Sequence, residues 1–157
     1  MTAAAAALAL IPARGGSKGI PGKNLQEVEG VPLVGRSVQA ALASTRVSRV
    51  VVSTDDDAIA AAARSHGAEV VRRPEHLAGD TASSESALLH ALEQLSTAGP
   101  LPPRLVFLQC TSPFTSGEQI DQVLAALDAP AVNSSFAVAP WHGFLWRGDG
   151  RGINHDP

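Results

Sequence analysis

One cysteine stands among 157 residues. Cys110 therefore cannot pair in an internal disulfide or build a cysteine-based zinc site, which suits a reducing cytoplasm. A basic excess is also missing: 12 Lys and Arg face 15 Asp and Glu, for a formal net charge of -3. General affinity for nucleic acid or an anionic membrane normally needs the opposite balance. Any phosphate chemistry must then rely on a local cluster of cations. No apolar run approaches the ~20 residues of a membrane-spanning helix. The histidines lack paired spacing, with His66 and His90 in helical segments and His76, His142 and His155 in loops, which argues against zinc. The dinucleotide fingerprint G-x-G-x-x-G does not occur, so hydride transfer loses its main support.

What remains is a composition of 45% hydrophobic and 17% charged residues, that of a soluble globular domain. Residues 1–157 read as one such domain, a length that buries roughly 70% of the unfolded chain's surface. The opening "MTAAAAALALIPA" has the apolar core of an export signal but no positive charge before it. It runs straight into a cationic loop and reads better as a first buried strand.

Short apolar runs alternate with helical patterns along the chain. Leu8–Ile11, Val50–Val52 and Leu105–Leu108 look like strands buried on both faces of a parallel sheet. Between them, Val34, Val38, Ala41 and Leu42 recur at helical spacing. So do Leu88, Ala91, Leu92 and Leu95, and then Ile120, Val123, Leu124 and Leu127. Ser116 and Gln119 form a capping box ahead of the last helix. Such alternation predicts a layered α/β sheet with crossover connections. After Asp128 the pattern loosens: "AVNSSFAVAP" reads as a further strand and "HGFLWRGDGRG" as a strand with a Gly-Asp-Gly turn.

Ligands of such sheets sit beyond the carboxyl ends of the strands. Three chemically suggestive loops fall there: "ARGGSKGIPGKN" (13–24), "STDDD" (53–57) and "QCTSPFT" (109–115). The first combines Arg14, Lys18 and Lys23 with Gly15, Gly16, Gly19 and Gly22. Glycines let backbone N–H groups approach oxygens, and the cations neutralise a polyphosphate. It is not a P-loop, because Ser17 takes the first glycine position and Asn24 the hydroxyl position. The plain alternative is a solvated loop whose cations keep it soluble.

"IPARGGSKGIPGKN", "VVSTDDDAIAAAARSHGAEVVRRPEHLAGDTASS" and "LVFLQCTSPF" resemble, in order, three motifs of the acylneuraminate cytidylyltransferases, the CMP-sugar synthetases. The likeness runs from Leu8 to about Leu127. It implies a three-layer, Rossmann-like, mostly parallel sheet of the nucleotide-diphosphosugar transferase type. The implied reaction joins the anomeric hydroxyl of a 2-keto acid sugar to the α-phosphate of CTP, releasing pyrophosphate with Mg²⁺. On these residues it implies that Arg14, Lys18 and Lys23 face the triphosphate in catalysis. Ala13, Gly15 and Asn24 would contact the nucleotide, Arg73, Ala82 and Ser84 the cytosine, and Gln109 the sugar. A homodimer is implied too. The usual "Q-P-T-S-P-L-R" is here "QCTSPFT", with Cys110 for a proline and Thr115 for an arginine. The dimerisation segment and metal-binding aspartates are expected beyond residue 157. Rival readings are another sugar or phosphonate nucleotidyltransferase, a non-catalytic nucleotide-binding module, and a structural domain.

Some residues stay open. Asp55 is a metal candidate, while Asp55 or Asp56 could instead cap the following helix. Asp80 divides between a turn and the nucleotide site. Cys110 is a catalytic thiol or, better, a small buried residue. Trp141 and Trp146 serve packing or a sugar face.

Overall fold

The "ALALIP" run forms the central strand of the computed structural model, which describes residues 6–17, 19–79, 82–140 and 143–153. This strand, β1 (Ala7–Pro12), pairs in parallel with β4 (Val47–Thr54) on one side and β6 (Arg104–Phe107) on the other. Strand β5 (Glu69–Arg72) pairs in parallel with β4, for the order β5-β4-β1-β6. A small antiparallel pair, β2 (Glu27–Val28) and β3 (Val31–Pro32), leads into helix α1 (Leu33–Leu42). Helices α2 (Asp57–Ser65), α3 (Ser84–Ser96) and α4 (Gly117–Ala126) follow β4, β5 and β6.

The strand order dictates the layering. Successive crossovers step outward from β1 to β4 to β5, then the chain reverses to place β6 on the far side of β1. Right-handed crossovers put the helices of the two directions on opposite faces. Accordingly Ala9, Ile11, Val50 and Val52 pack with α1 and α2 on one face, where Ala7 also meets Ile120 and Leu124 of α4. Leu8, Leu10 and Val51 pack with Ala91 and Leu95 of α3 on the other. The point of reversal, beside β1, is where such sheets open a crevice.

Three helices begin on side-chain caps. Asp56 accepts the Ile59 N–H, Ser83 the Ser86 N–H, and Ser116 the Gln119 N–H, with the Gln119 side chain returning the bond. The predicted capping box is thus present, and Asp56 is the cap of α2.

Four expectations require correction. Strand β6 is not buried on both faces: Leu105 and Phe107 are about two-fifths exposed. It ends the order of the described sheet, and α3 packs over β1, β4 and β5 instead of over it. Leu42 is exposed, because it lies one residue, about 100° of helix, past Ala41 on the buried stripe. "AVNSSFAVAP" forms no strand among its residues, 131–140. The later segment keeps a turn and an isolated bridge, Trp146 with Gly152, rather than a full strand. Trp141 and His142 lie outside the described residues, as does His155. Strand β5 has only two consecutive apolar residues, Val70 and Val71, between Glu69 and Arg72, too short an apolar run to be read ahead of the fold.

A carboxylate on α4 locks the turn that enters β4. Asp121 accepts hydrogen bonds from the Ser44 hydroxyl, the Thr45 N–H (3.1 Å) and hydroxyl (2.8 Å), and the Arg46 N–H (3.2 Å). These donors, the Ser44 hydroxyl foremost, hold its pKa down from the ordinary 3.8 to about 2. The folded state therefore favours the carboxylate. Its stabilisation is full above the ordinary value and lost as pH falls from about 3.8 to about 2. Urea unfolding should show the wild type more stable than Asp121→Asn at neutral pH. The gap should close across that acidic window, and a gap independent of pH would contradict the assignment.

Candidate nucleotide-binding site

An open cavity of about 250 Å³ lies at the carboxyl ends of β1 and β6. Its lining joins two of the three suggestive loops, through Arg14, Lys23 and Asn24 of the first and Gln109–Thr111 of the third, with Arg73 and Ala82–Ser84 further along the middle motif; "STDDD" (53–57) contributes no lining residue. Pro12 and Phe107 complete it at the strand ends. A chain of net charge -3 thus gathers Arg14, Lys23 and Arg73 around one hollow.

Three of the lining side chains, Arg14, Asn24 and Arg73, are fastened by hydrogen bonds. Arg14 donates through Nη1 to the Gly79 carbonyl at 2.9 Å, tying the first loop to the segment before α3. Asn24 is buried and donates its Nδ2 to the Arg14 carbonyl at 2.9 Å, so it sets the loop's shape as well as lining the cavity. Arg73 is 7% exposed. Its Nε and Nη2 donate to the Ser53 hydroxyl (3.2 Å) and carbonyl (2.7 Å), and Nη1 bonds to none of the described residues. Burial pushes its pKa down, Asp55 opposes that shift, and Arg14 adds to it. A guanidinium fixed along one edge by two bonds presents a pre-oriented donor with little entropy left to lose.

Several candidate residues lie beside the hollow and do not line it. Ala13 is fully buried in the core, and its N–H donates to the Ser53 carbonyl at 2.9 Å. Gly15 donates its N–H to Asp55 Oδ1 at 3.0 Å. A Cβ built on Gly15 would lie 2.9 Å from Asp56 Oδ2 and 3.0 Å from Asp56 Cβ, so only glycine lets the loop rest this closely on the α2 cap. Lys18 and Asp80 lie outside the described residues.

The described residues contain no group of three or more His, Cys, Asp or Glu arranged for a metal ion. Asp55, the metal candidate, has one of its two carboxylate oxygens engaged by the Gly15 N–H. Cys110 is buried with a free thiol. Burial raises its pKa, against smaller opposing effects of a Ser37 hydrogen bond and the Lys23 charge. That is the reverse of an activated nucleophile, and the small buried residue is the better description.

Phe107, Ser83 and Thr111 line the cavity but were not among the expected contacts. Ser83 and Thr111 adjoin named candidates, so their position was within reach of the motifs. Phe107 was concealed inside a run that reads as fully buried strand.

Both the sheet order and a cation-lined hollow at its reversal point define a nucleotidyltransferase-type α/β fold. Among solved structures, CMP:2-keto-3-deoxy-manno-octonic acid synthetase complexed with CTP superposes with a TM-score of 0.69 at 26% identity. That match covers 81% of this chain and 49% of the other. The family model described as cytidylyltransferase matches residues 8–143, and the chain belongs to that family. It is 37% identical over 139 residues to N-acylneuraminate cytidylyltransferase of Oncorhynchus mykiss, covering 88% of this chain and 31% of the relative. To 3-deoxy-manno-octulosonate cytidylyltransferase of Rhodopseudomonas palustris it is 40% identical over 136 residues, 86% of this chain and 53% of that one. The chain therefore spans about a third to a half of the length of these relatives. No helix among the described residues is long and apolar enough to cross a membrane.

Proposed function

We propose that this chain binds CTP and forms the nucleotide half of an enzyme that transfers CMP to the anomeric hydroxyl of an acidic 2-keto sugar. The observation that carries the reading is the meeting of Arg14, Lys23 and Arg73 at one cavity. Two of these cations sit on the glycine-rich loop and one is buried beyond it. In the proposed reaction the sugar hydroxyl oxygen attacks the α-phosphorus. The bond between that phosphorus and the bridging oxygen to the β-phosphate breaks, pyrophosphate leaves, and the hydroxyl proton is released to solvent. Negative charge shifts onto the leaving group, where Arg14 and Lys23 stabilise it, with Lys18 assigned the same role.

The nucleophile belongs to the substrate, so the protein's task is to position and neutralise. Arg73 suits the acceptor atoms O2 and N3 of cytosine. Acceptors around Ala82 and Ser84 suit its amino group, Asn24 the ribose, and Gln109 the sugar. The names of the relatives support an acylneuraminate or octulosonate as the acceptor class. Mg²⁺ enters this proposal only as a companion of the nucleotide phosphates. A cytoplasmic, homodimeric enzyme completes it, the location drawn from the unpaired cysteine and the assembly from the family likeness.

Calorimetric titration with CTP, UTP and ATP in the presence of Mg²⁺ tests the reading. Arg14→Ala and Lys23→Ala are each expected to weaken CTP about tenfold or more, the loss of one charged contact to phosphate. Their unfolding midpoints should barely move, since Arg14 lies in a loop and Lys23 in a single 3-10 turn, Lys23–Leu25, outside the core. Unchanged affinity in both variants would remove the phosphate assignment.

A further inference from the structure

The three consecutive carboxylates of "STDDD" have three different partners. Asp57 pairs with Arg72 at 3.0 Å on the exposed side of α2. Asp56 caps α2 through the Ile59 N–H at 2.9 Å. Asp55 reaches neither, and instead accepts the Gly15 N–H of the glycine-rich loop at 3.0 Å. Two residues earlier on the same strand end, Ser53 holds the guanidinium of Arg73. The carboxyl end of β4 is therefore where the first loop and Arg73 are both fastened.

We propose that Asp55 is a positioning residue. Its carboxylate fastens the Gly15 backbone and supplies the negative charge that lets Arg14 and Arg73 share one cleft. Two guanidinium groups brought together with one of them buried repel each other, and desolvation makes that repulsion costly. Asp55 favours the charged form of Arg73, whereas burial and Arg14 both disfavour it. Of the three aspartates it is Asp55 whose charge acts on Arg73, while Asp56 is turned to the α2 cap and Asp57 to Arg72. The inference rests on the cytidylyltransferase reading and assigns Asp55 an indirect part in it: shaping the loop and the arginine rather than holding a metal.

Two substitutions separate the hydrogen bond from the charge. Asp55→Asn keeps an oxygen acceptor for the Gly15 N–H and removes the charge, and Asp55→Ala removes both. Inorganic tripolyphosphate probes the loop alone, while the ratio of CTP to UTP affinity probes Arg73. The alanine variant is expected to lose about tenfold on tripolyphosphate, and more on CTP. The asparagine variant should hold tripolyphosphate within about threefold of wild type, because the loop bond survives and one repelling charge is gone. Its preference for CTP over UTP should nonetheless fall about fivefold, as Arg73 loses its counter-charge.

A merely structural aspartate would lower the unfolding midpoint and weaken both ligands in parallel, and that result overturns the proposal. So does an asparagine variant with unchanged base preference. Should the alanine variant fail to fold, the asparagine variant decides by itself. Absence of CTP binding by the unmodified chain would overturn the functional reading, and this inference with it. Normal binding by wild type and both variants would overturn the inference alone.

Discussion

Arg73→Ala is expected to weaken CTP binding about 100-fold, the loss of a charged donor whose bonds each contribute about 1.5–3 kcal/mol. Its preference for CTP over UTP should disappear. Arg73 lines the cavity, is almost fully buried, and is held by two bonds to Ser53. Its remaining donor is therefore aimed before any ligand arrives, and little of the binding energy is lost to ordering the side chain. The substitution also strips the buried Ser53 of a partner, so some stability will be lost with it. Arg73→Lys separates the two effects, because an ammonium keeps the charge and lacks the planar fork. Calorimetry with both nucleotides, beside a thermal melt of each variant, makes the comparison. If Arg73→Ala still prefers CTP, cytosine is read elsewhere.

Gly117→Ala should be the most destabilising of the conservative substitutions considered, by about 3 kcal/mol, the upper end of overpacking costs. Gly117 opens α4 where the helix crosses the end of α1. A Cβ there would fall 2.5 Å from the Ala43 carbonyl carbon, 2.6 Å from its oxygen and 2.7 Å from the Ser44 nitrogen. All three are backbone atoms, so no side chain can swing aside. Tilting α4 away would pull Asp121 from the Ser44–Arg46 turn that it caps. It would also strain the Asp128 pairs with Arg46 and Arg104 at 2.9 and 2.7 Å. A fall of roughly 10 °C in the melting midpoint is expected for a chain of this size. Gly16→Ala is the control, since a Cβ at Gly16 meets nothing within 4 Å. Equal midpoints for the two alanine variants would refute the close crossing.

The contrast between Gly16 and Gly117 bears on what could be read ahead of the fold. Both are single letters in the sequence, and nothing local tells an open loop from a helix end pressed on a neighbouring backbone. Only the crossing of α1 and α4 distinguishes them. Asp55, Asp56 and Asp57 make the same point. Helix capping was legible, because a carboxylate before an apolar helical pattern is a local signal. Which aspartate caps, and that Asp55 turns instead to Gly15, depends on how the first loop lies across β4.

By itself the sequence determined the alternation of strand and helix, the capping box at Ser116, and two loops after strands that line the cavity, 13–24 and 109–115, whereas "STDDD" turned to partners within the fold. These rest on periodicity, caps and loop composition, which act within a few residues along the chain. The order β5-β4-β1-β6 was decided only in three dimensions, because pairing partners are chosen by surface shared between distant segments. That order places α3 across β1, β4 and β5, leaving Leu105 and Phe107 uncovered and Phe107 at the cavity. It also brings Arg73 to within reach of Ser53, 20 positions away, and Arg14 to Gly79, 65 positions away. Burial and charge at the site are sums over such distant neighbours, so they came into being with the tertiary structure.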